Sequence, residues 1–229
     1  MGLQRTGRSG VLDEMVFKTA AILIVISLLC CTAGLADPKY SFYGDSITYG
    51  YDLPTPDDFF GHQMIIAHDP TATWDHNLDG NGWASEDCWK NISSHYSPGT
   101  DFFIVMCSNN DIRHNLNGTE TAVNLYRIYE YVKTNGGVPV ILMQTLEDPS
   151  ICGDSSGNIT ITETVLAENN IPFIRMYNAI NTSCLGEGVH PDLGCHKLMG
   201  DYLWKHLPFG TFDTITTTYK RTFHISSVR

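Results

Sequence analysis

A serine that hands its proton to a histidine becomes a nucleophile, and the chain carries candidates for both partners. Gly44-Asp45-Ser46-Ile47-Thr48 follows a short apolar segment at 40–43, so Ser46 stands at a strand-to-helix turn. Such a turn holds the hydroxyl clear of the sheet. It also places the backbone N–H of Ser46 at a helix N-terminus, where a developing oxyanion is stabilised. The plainer alternative is a serine that only caps the helix. Near the other end, Glu187-Gly188-Val189-His190-Pro191 sets a carboxylate three residues before a histidine. That carboxylate can turn back onto Nδ1–H, fix the tautomer and steady the imidazolium formed when serine is deprotonated. Taken alone, the segment also reads as a capping histidine beside a surface glutamate.

Two further segments supply hydrogen-bond donors for an oxyanion. Ser108-Asn109-Asn110-Asp111 closes the apolar run 102–107 and offers the Asn110 amide. Asn77-Leu78-Asp79-Gly80-Asn81-Gly82 closes a weaker strand around 74–78, and Gly82 lets a backbone N–H approach a reacting carbonyl. Each alone is an ordinary turn. A second G-D-S at Gly153-Asp154-Ser155-Ser156-Gly157 lacks the strand immediately before it that a nucleophile elbow requires, and it is read as a loop. Asp75, Asn77, Asp79, Gly80 and Glu86 also fit the spacing of a calcium-binding loop, with oxygen ligands around a sharp glycine turn. Pro70 and the strand before Asp75 stand where the entering helix would be, so no metal is assigned. The remaining histidines show no metal-ligand spacing. His196 and His206 are expected on the surface of the last helix.

The elements that must position these groups alternate. Runs at 40–43, 74–78, 102–107, 138–143 and 171–177 read as strands, the last three apolar enough to be buried on both faces. Ala122, Leu125, Tyr126, Tyr129 and Val132 follow a helical period that ends at Gly136-Gly137. Segments 84–95, 160–169 and 191–207 are also helical, the last stopped by Pro208. Strand–helix alternation with short connections implies an α/β domain with a parallel sheet, and functional groups then gather at the carboxyl ends of the strands.

Composition bounds the rest. The 229 residues carry 14 basic and 25 acidic side chains, a net charge of −11, which disfavours nucleic acid as a partner. Residues 1–36 combine a basic start, an apolar run and small residues at Gly34 and Ala36. They read as an export signal cut after Ala36, or as an uncut anchor that is the chain's one route to a membrane. Export fits four N-x-S/T sequons, at Asn91, Asn117, Asn158 and Asn181. Of the cysteines after the signal, Cys107 reads as a buried thiol, and Cys152 with Cys184 is the preferred disulfide because both fall in expected loops. The globular domain is expected to span 37–208 and a Thr-rich tail 209–229.

Taken together, GDSIT at 44–48, N-x-x-x-x-G at 77–82, S-N-N-D at 108–111 and E-G-V-H-P at 187–191 resemble the motifs of the SGNH hydrolases, the GDSL esterase/lipase family. The resemblance spans roughly residues 40–207. It implies a three-layer α/β/α sandwich around a parallel, flavodoxin-like sheet and a cofactor-free ester hydrolase. It also implies that Ser46 is the nucleophile, that His190 is the base and acid, and that Ser46, Gly82 and Asn110 form the oxyanion hole. Two positions depart from the family pattern. Ser108 stands where glycine is usual. Glu187 stands where aspartate is usual, and being one methylene longer it must fold back to reach His190, with a backbone carbonyl as the alternative orienter. The substrate expected is a small-molecule or saccharide ester with a short acyl group, acetyl foremost, because Tyr49, Tyr51, Trp74 and Trp83 lie near the motifs and aromatic faces suit sugar rings. A lysophospholipase or thioesterase taking longer chains is the alternative within enzymes. A noncatalytic glycan- or calcium-binding module is the alternative outside them.

Overall fold

The computed structural model describes residues 37–77, 80–145, 147–152 and 154–208. Five strands, β1 (Lys39–Gly44), β2 (Thr73–His76), β3 (Phe102–Met106), β4 (Val138–Met143) and β5 (Phe173–Arg175), form one sheet in the order β2-β1-β3-β4-β5. Every pairing is parallel. This is the flavodoxin-like order, and its strand ends form a crevice between β1 and β3 where the order reverses.

Helices cover both faces because the central strands are apolar on both. One face presents Tyr40, Phe42, Ile104, Met106 and Leu142 to Phe60 and Met64 of α2 (Phe60–His68) and to Met199 and Leu203 of α7 (Leu193–His206). The other presents Tyr43, Phe103, Val105, Ile141 and Met143. It is covered by α3 (Ser85–His95), α4 (Gly118–Thr134) and α6 (Ser156–Glu168), through Cys88, Leu125, Ile128 and Leu166 among others. Two short helices, α1 (Ser46–Tyr49) and α5 (Pro149–Cys152), lie at strand ends. The three-layer sandwich expected from the motifs is therefore observed. Asn117 opens α4 by accepting the N–H groups of Thr119 and Glu120, while Glu120 accepts the N–H of Asn117. Gly136, at φ +90°, ends the turn that follows.

Several expectations need correction. Helix α6 starts at Ser156, four residues early, after an Asx turn in which the Asp154 carboxylate accepts the Ser156 N–H at 2.9 Å. The fifth strand is only Phe173–Arg175 and passes into a 3-10 turn, Met176–Asn178. The disulfide joins Cys184 to Cys195, not to Cys152. Its cause is a reversal of the chain: Leu185 bridges Pro191 antiparallel and Asp192 N–H bonds to the Cys184 carbonyl, returning Cys184 to the first turn of α7. His196 is fully buried rather than at the surface. Helices α2 and α7 approach closely at Gly200, where a Cβ would lie 2.8 Å from Met64 N and Phe60 O, and the His196 ring closes over the start of α2. Its Nδ1 accepts the Phe60 N–H at 3.0 Å. His206 is exposed, as expected, and Cys107 is a buried thiol beside Cys88 in the same core.

The signal or anchor at 1–36 and the tail at 209–229 lie outside the described residues. Among those described, no helix is long and apolar enough to cross a membrane.

Candidate active site

The motif residues meet at the carboxyl end of β1. Gly44, the last residue of that strand, has no room for a side chain: a Cβ would lie 2.0 Å from the Met106 carbonyl oxygen of β3. Asn77, just past β2, grips the same glycine from the other side. Its Oδ1 accepts the Gly44 N–H at 2.8 Å and its Nδ2 donates to the Gly44 carbonyl at 3.0 Å. Gly80 packs there too, with a Cβ position 1.9 Å from the Gly44 oxygen. Two residues that precede Gly82, Asn77 and Gly80, are thus tied to the turn that carries the serine.

Asp45 caps α1. Its carboxylate accepts the Ile47 N–H at 3.1 Å and the Asn109 amide at 2.7 Å. Complete burial pushes the Asp45 carboxyl up to about 7, against those two hydrogen bonds, with Glu147 adding to the rise. Ser46 follows as the first helical residue, so its N–H has no acceptor within the helix.

The histidine expected as base arrives from far along the chain. His190 Nε2 lies 2.9 Å from Ser46 Oγ, and its Nδ1 is hydrogen-bonded to Glu187 Oε1. Glu187 does fold back, helped by Gly188 at φ +87°. Partial burial opposes its ionisation. The hydrogen bond and charge of His190, with the Asp52 side chain, outweigh that and hold the Glu187 carboxyl below its ordinary range. The Glu187 carboxylate leaves Nδ1 as the protonated nitrogen and Nε2 as the acceptor for the serine hydroxyl. The Tyr51 ring lies 4.7 Å from the His190 ring and is 39% exposed.

The expected oxyanion donors Gly82 and Asn110 sit in two linked loops. Gly82 adopts φ +79° with nothing within 4 Å of its Cβ position. Asn110 is buried, donates from Nδ2 to the Trp83 carbonyl at 3.0 Å and accepts from Arg113 at its Oδ1 at 3.0 Å. The bond to Trp83 connects Asn110 to the residue next to Gly82 and leaves its second amide hydrogen for a ligand. Asp111 anchors the same loop by accepting the Ser85 N–H at 2.7 Å and the Thr121 hydroxyl. Ser108, in the position where glycine is usual, buries its hydroxyl without a hydrogen-bond partner.

The other candidates serve elsewhere. The second G-D-S forms the Asx turn at Asp154 ahead of α6. Of the calcium-loop pattern, Asp75 accepts from Ser41 and lies 3.5 Å from Lys39 Nζ, Asn77 holds Gly44, and Glu86 pairs with Lys90 at 2.7 Å. Asp79 lies outside the described residues. Trp74 stacks with His62 and His76 over the first core, while Trp83 packs on Tyr43. Among the described residues, one acidic and histidine group has ligand atoms close enough to share an ion: Asp52, Glu187 and His190. Its members Glu187 and His190 are the orienting pair already described. Sequence reading passed over Asp52 and Arg113. Neither sits in a motif, and only the folded loops bring them to the site.

No protein-family model matches the sequence, and no curated protein matches it. Solved structures do. A member of the lipolytic G-D-S-L family from Veillonella parvula matches with a TM-score of 0.60 at 22% identity, over 74% of this chain and 97% of that one. A lipase/acylhydrolase from Enterococcus faecalis matches with a TM-score of 0.61 at 17% identity, over 73% of this chain and 94% of that one. A carbohydrate acetylesterase from Sinorhizobium meliloti matches with a TM-score of 0.55 at 15% identity, over 74% and 97%. The chain has the GDSL hydrolase fold over its described domain, as the motif resemblance implied.

Proposed function

We propose that this chain is an exported serine ester hydrolase that removes short acyl groups, acetyl foremost, from saccharides. The observation that carries the reading is the relay Ser46–His190–Glu187, with Nε2 2.9 Å from the hydroxyl and a carboxylate on Nδ1. Ser46 Oγ attacks the acyl carbonyl while His190 takes its proton. The tetrahedral oxyanion is held by Ser46 N–H, Gly82 N–H and the free Asn110 amide hydrogen. His190 then gives the proton to the leaving alkoxide, and the acyl group stays on Ser46 as an ester. Water, deprotonated by His190, attacks that ester. Its collapse frees the carboxylic acid and returns the proton to Ser46.

A saccharide ester is supported by the exposed Tyr51 ring beside His190, a flat face on which a sugar can stack. The acetylesterase among the similar folds is in keeping with it. The chromogenic ester series from acetyl to dodecanoyl, run beside Ser46→Ala, tests the reading. Expected is Ser46-dependent turnover that is highest for acetyl and falls by at least about 10³-fold in the variant. A maximum at long chains would move the substrate to lipids or thioesters. Equal activity in Ser46→Ala would remove the serine from the mechanism. No Ser46-dependent turnover, with saccharide binding retained, would favour a binding module.

A further inference from the structure

The carboxylate of the relay is in an unpromising place. Glu187 is long, lies between Gly186 and Gly188, and has a side chain 50% exposed, against 14% for His190. A triad acid orients best when it is buried and fixed. Here water competes for Glu187 and two glycines leave its backbone free to move.

A second carboxylate stands beside it. After α1 the chain turns at Gly50, φ +80°, and Tyr51 N–H donates to the Ser46 carbonyl at 3.0 Å. The next residue, Asp52, adopts φ +63°, a left-handed conformation that aspartate tolerates better than most residues. Leu53 N–H then bonds back to Gly50 at 3.2 Å. This loop is anchored on the nucleophile itself, unlike the one that carries Glu187. It delivers the Tyr51 ring against His190 and the Asp52 carboxylate beside Glu187. Ligand atoms of Asp52, Glu187 and His190 all lie within 4.8 Å of one another.

We propose that Asp52 is a second positioning carboxylate for His190, backing Glu187 and able to take its place at Nδ1. The proposal rests on the ester-hydrolase reading. With both present, His190 lies between one carboxylate from each loop, and Glu187 holds the hydrogen bond to Nδ1. When Glu187 swings away, the Asp52 carboxylate, within 4.8 Å of a ring nitrogen of His190, closes in to accept the Nδ1–H and keep Nε2 turned to Ser46. The imidazolium formed during acyl transfer then faces two carboxylates, one from the base loop and one from the nucleophile loop.

The test is a double-mutant cycle on an aryl acetate, with Glu187→Gln, Asp52→Asn and the pair. Asparagine keeps the size of Asp52 and tolerates its backbone, and Asp52→Gly serves as a second variant free of strain at that φ. Expected for either Asp52 variant is a kcat about tenfold lower with KM and melting temperature unchanged. Glu187→Gln alone should lose about ten- to a hundredfold. The pair should fall by about 10⁴-fold, beyond the product of the single losses, because no carboxylate then remains on Nδ1. An effect on KM or melting temperature alone, or an Asp52 variant silent in both backgrounds, would overturn the inference while a hydrolysing wild type keeps the reading beneath it. A wild type without Ser46-dependent hydrolysis would overturn both.

Discussion

Ser46 and His190, the proposed nucleophile and base, are held by different physics. Around Ser46, buried groups hold one another: Asn77 takes both polar atoms of Gly44, Asp45 takes the Ile47 and Asn109 donors, and glycines 44 and 80 admit no Cβ. Around His190 there is a loop, partly exposed, with glycines on both sides of Glu187 and one disulfide across its base. The first half is rigid because a buried polar group left unpaired costs on the order of 1–3 kcal/mol, so each contact enforces the next. The second is held by covalent closure and a few backbone bonds. The difference suits the chemistry. The oxyanion donors must stand ready before charge develops, whereas the histidine has to carry a proton from serine to leaving group.

The sharpest way to break the comparison is Gly44→Ala. The new methyl would meet the Met106 carbonyl at 2.0 Å and Thr48 Oγ1 at 2.4 Å. The first is backbone of the neighbouring strand and cannot turn aside. Overpacking of this kind costs about 3 kcal/mol or more. The variant should melt well below the wild type and lose activity, whereas Gly186→Ala in the base loop, with only one contact at 3.8 Å, should fold normally. Thermal unfolding of the two side by side decides it.

The same contrast explains what was legible in the sequence. The motifs at 44–48, 77–82, 108–111 and 187–191 could be read because each is short, polar and set at the end of an apolar run, and strand ends share one edge in a parallel sheet. The fold was legible for the same reason: its strands and helices alternate with clear periods. Pairings across the chain were not. Cys184 reaches Cys195 only because the base loop doubles back on itself, and nothing local marks that reversal. His196 did carry a signal, since 196, 199, 200 and 203 share one helical face with Met199 and Leu203. A histidine there looks polar and therefore outward until Gly200 brings α2 close enough to give its ring a partner. Asp52 carried none, because its place depends on two left-handed residues, Gly50 and Asp52, on either side of Tyr51.

Removing the disulfide sharpens the comparison from the other side. The Cys184–Cys195 bond closes a loop, over a separation of 11 residues, that contains both Glu187 and His190. Loop-closure entropy assigns it about 3 kcal/mol. Cys184→Ser with Cys195→Ser should lower the melting temperature. At a temperature where the variant is still folded, kcat should fall severalfold, since the freed loop spends less time with Nε2 on Ser46. Unchanged kcat in the folded variant would mean that the backbone bonds from Gly186 to His190 and from Asp192 to Cys184 suffice.

The halves also answer pH with opposite sign. Asp45 has its carboxyl raised from 3.8 to about 7 by burial, so its stabilising contribution is full below pH 3.8 and is lost as pH rises through 7. His196, at the start of the helix behind the base loop, is lowered by burial from 6.5 to about 4. Its contribution is full above pH 6.5 and is lost as pH falls through 4. Between pH 4 and 6.5 the two oppose each other. Relative to the wild type, Asp45→Asn should therefore shift the slope of stability against pH upwards across that window and His196→Gln shift it downwards, each by up to about 1.4 kcal/mol per pH unit. Chemical denaturation of the wild type and both variants from pH 4 to 7 reads the slopes directly, and changes of one sign in both variants would refute the assignment.

The smallest effect is expected at the one break in the pattern of the rigid half. Ser108 buries a hydroxyl that finds no hydrogen-bond partner, between a strand end and the loop that aims Asn110. Asn109 and Asp111, the first and third residues after it, are both bonded into the fold, to Asp45 and to Ser85 and Thr121, so the loop that leaves Ser108 is already fixed. The hydroxyl adds desolvation cost and no bond. Ser108→Ala removes that cost and keeps the Cβ, avoiding the backbone entropy that glycine would bring. A gain of about 1 kcal/mol in unfolding free energy with unchanged kcat is expected. A loss of kcat at equal stability would instead give the hydroxyl a bond made only with substrate in place, and so extend the oxyanion loop by one donor.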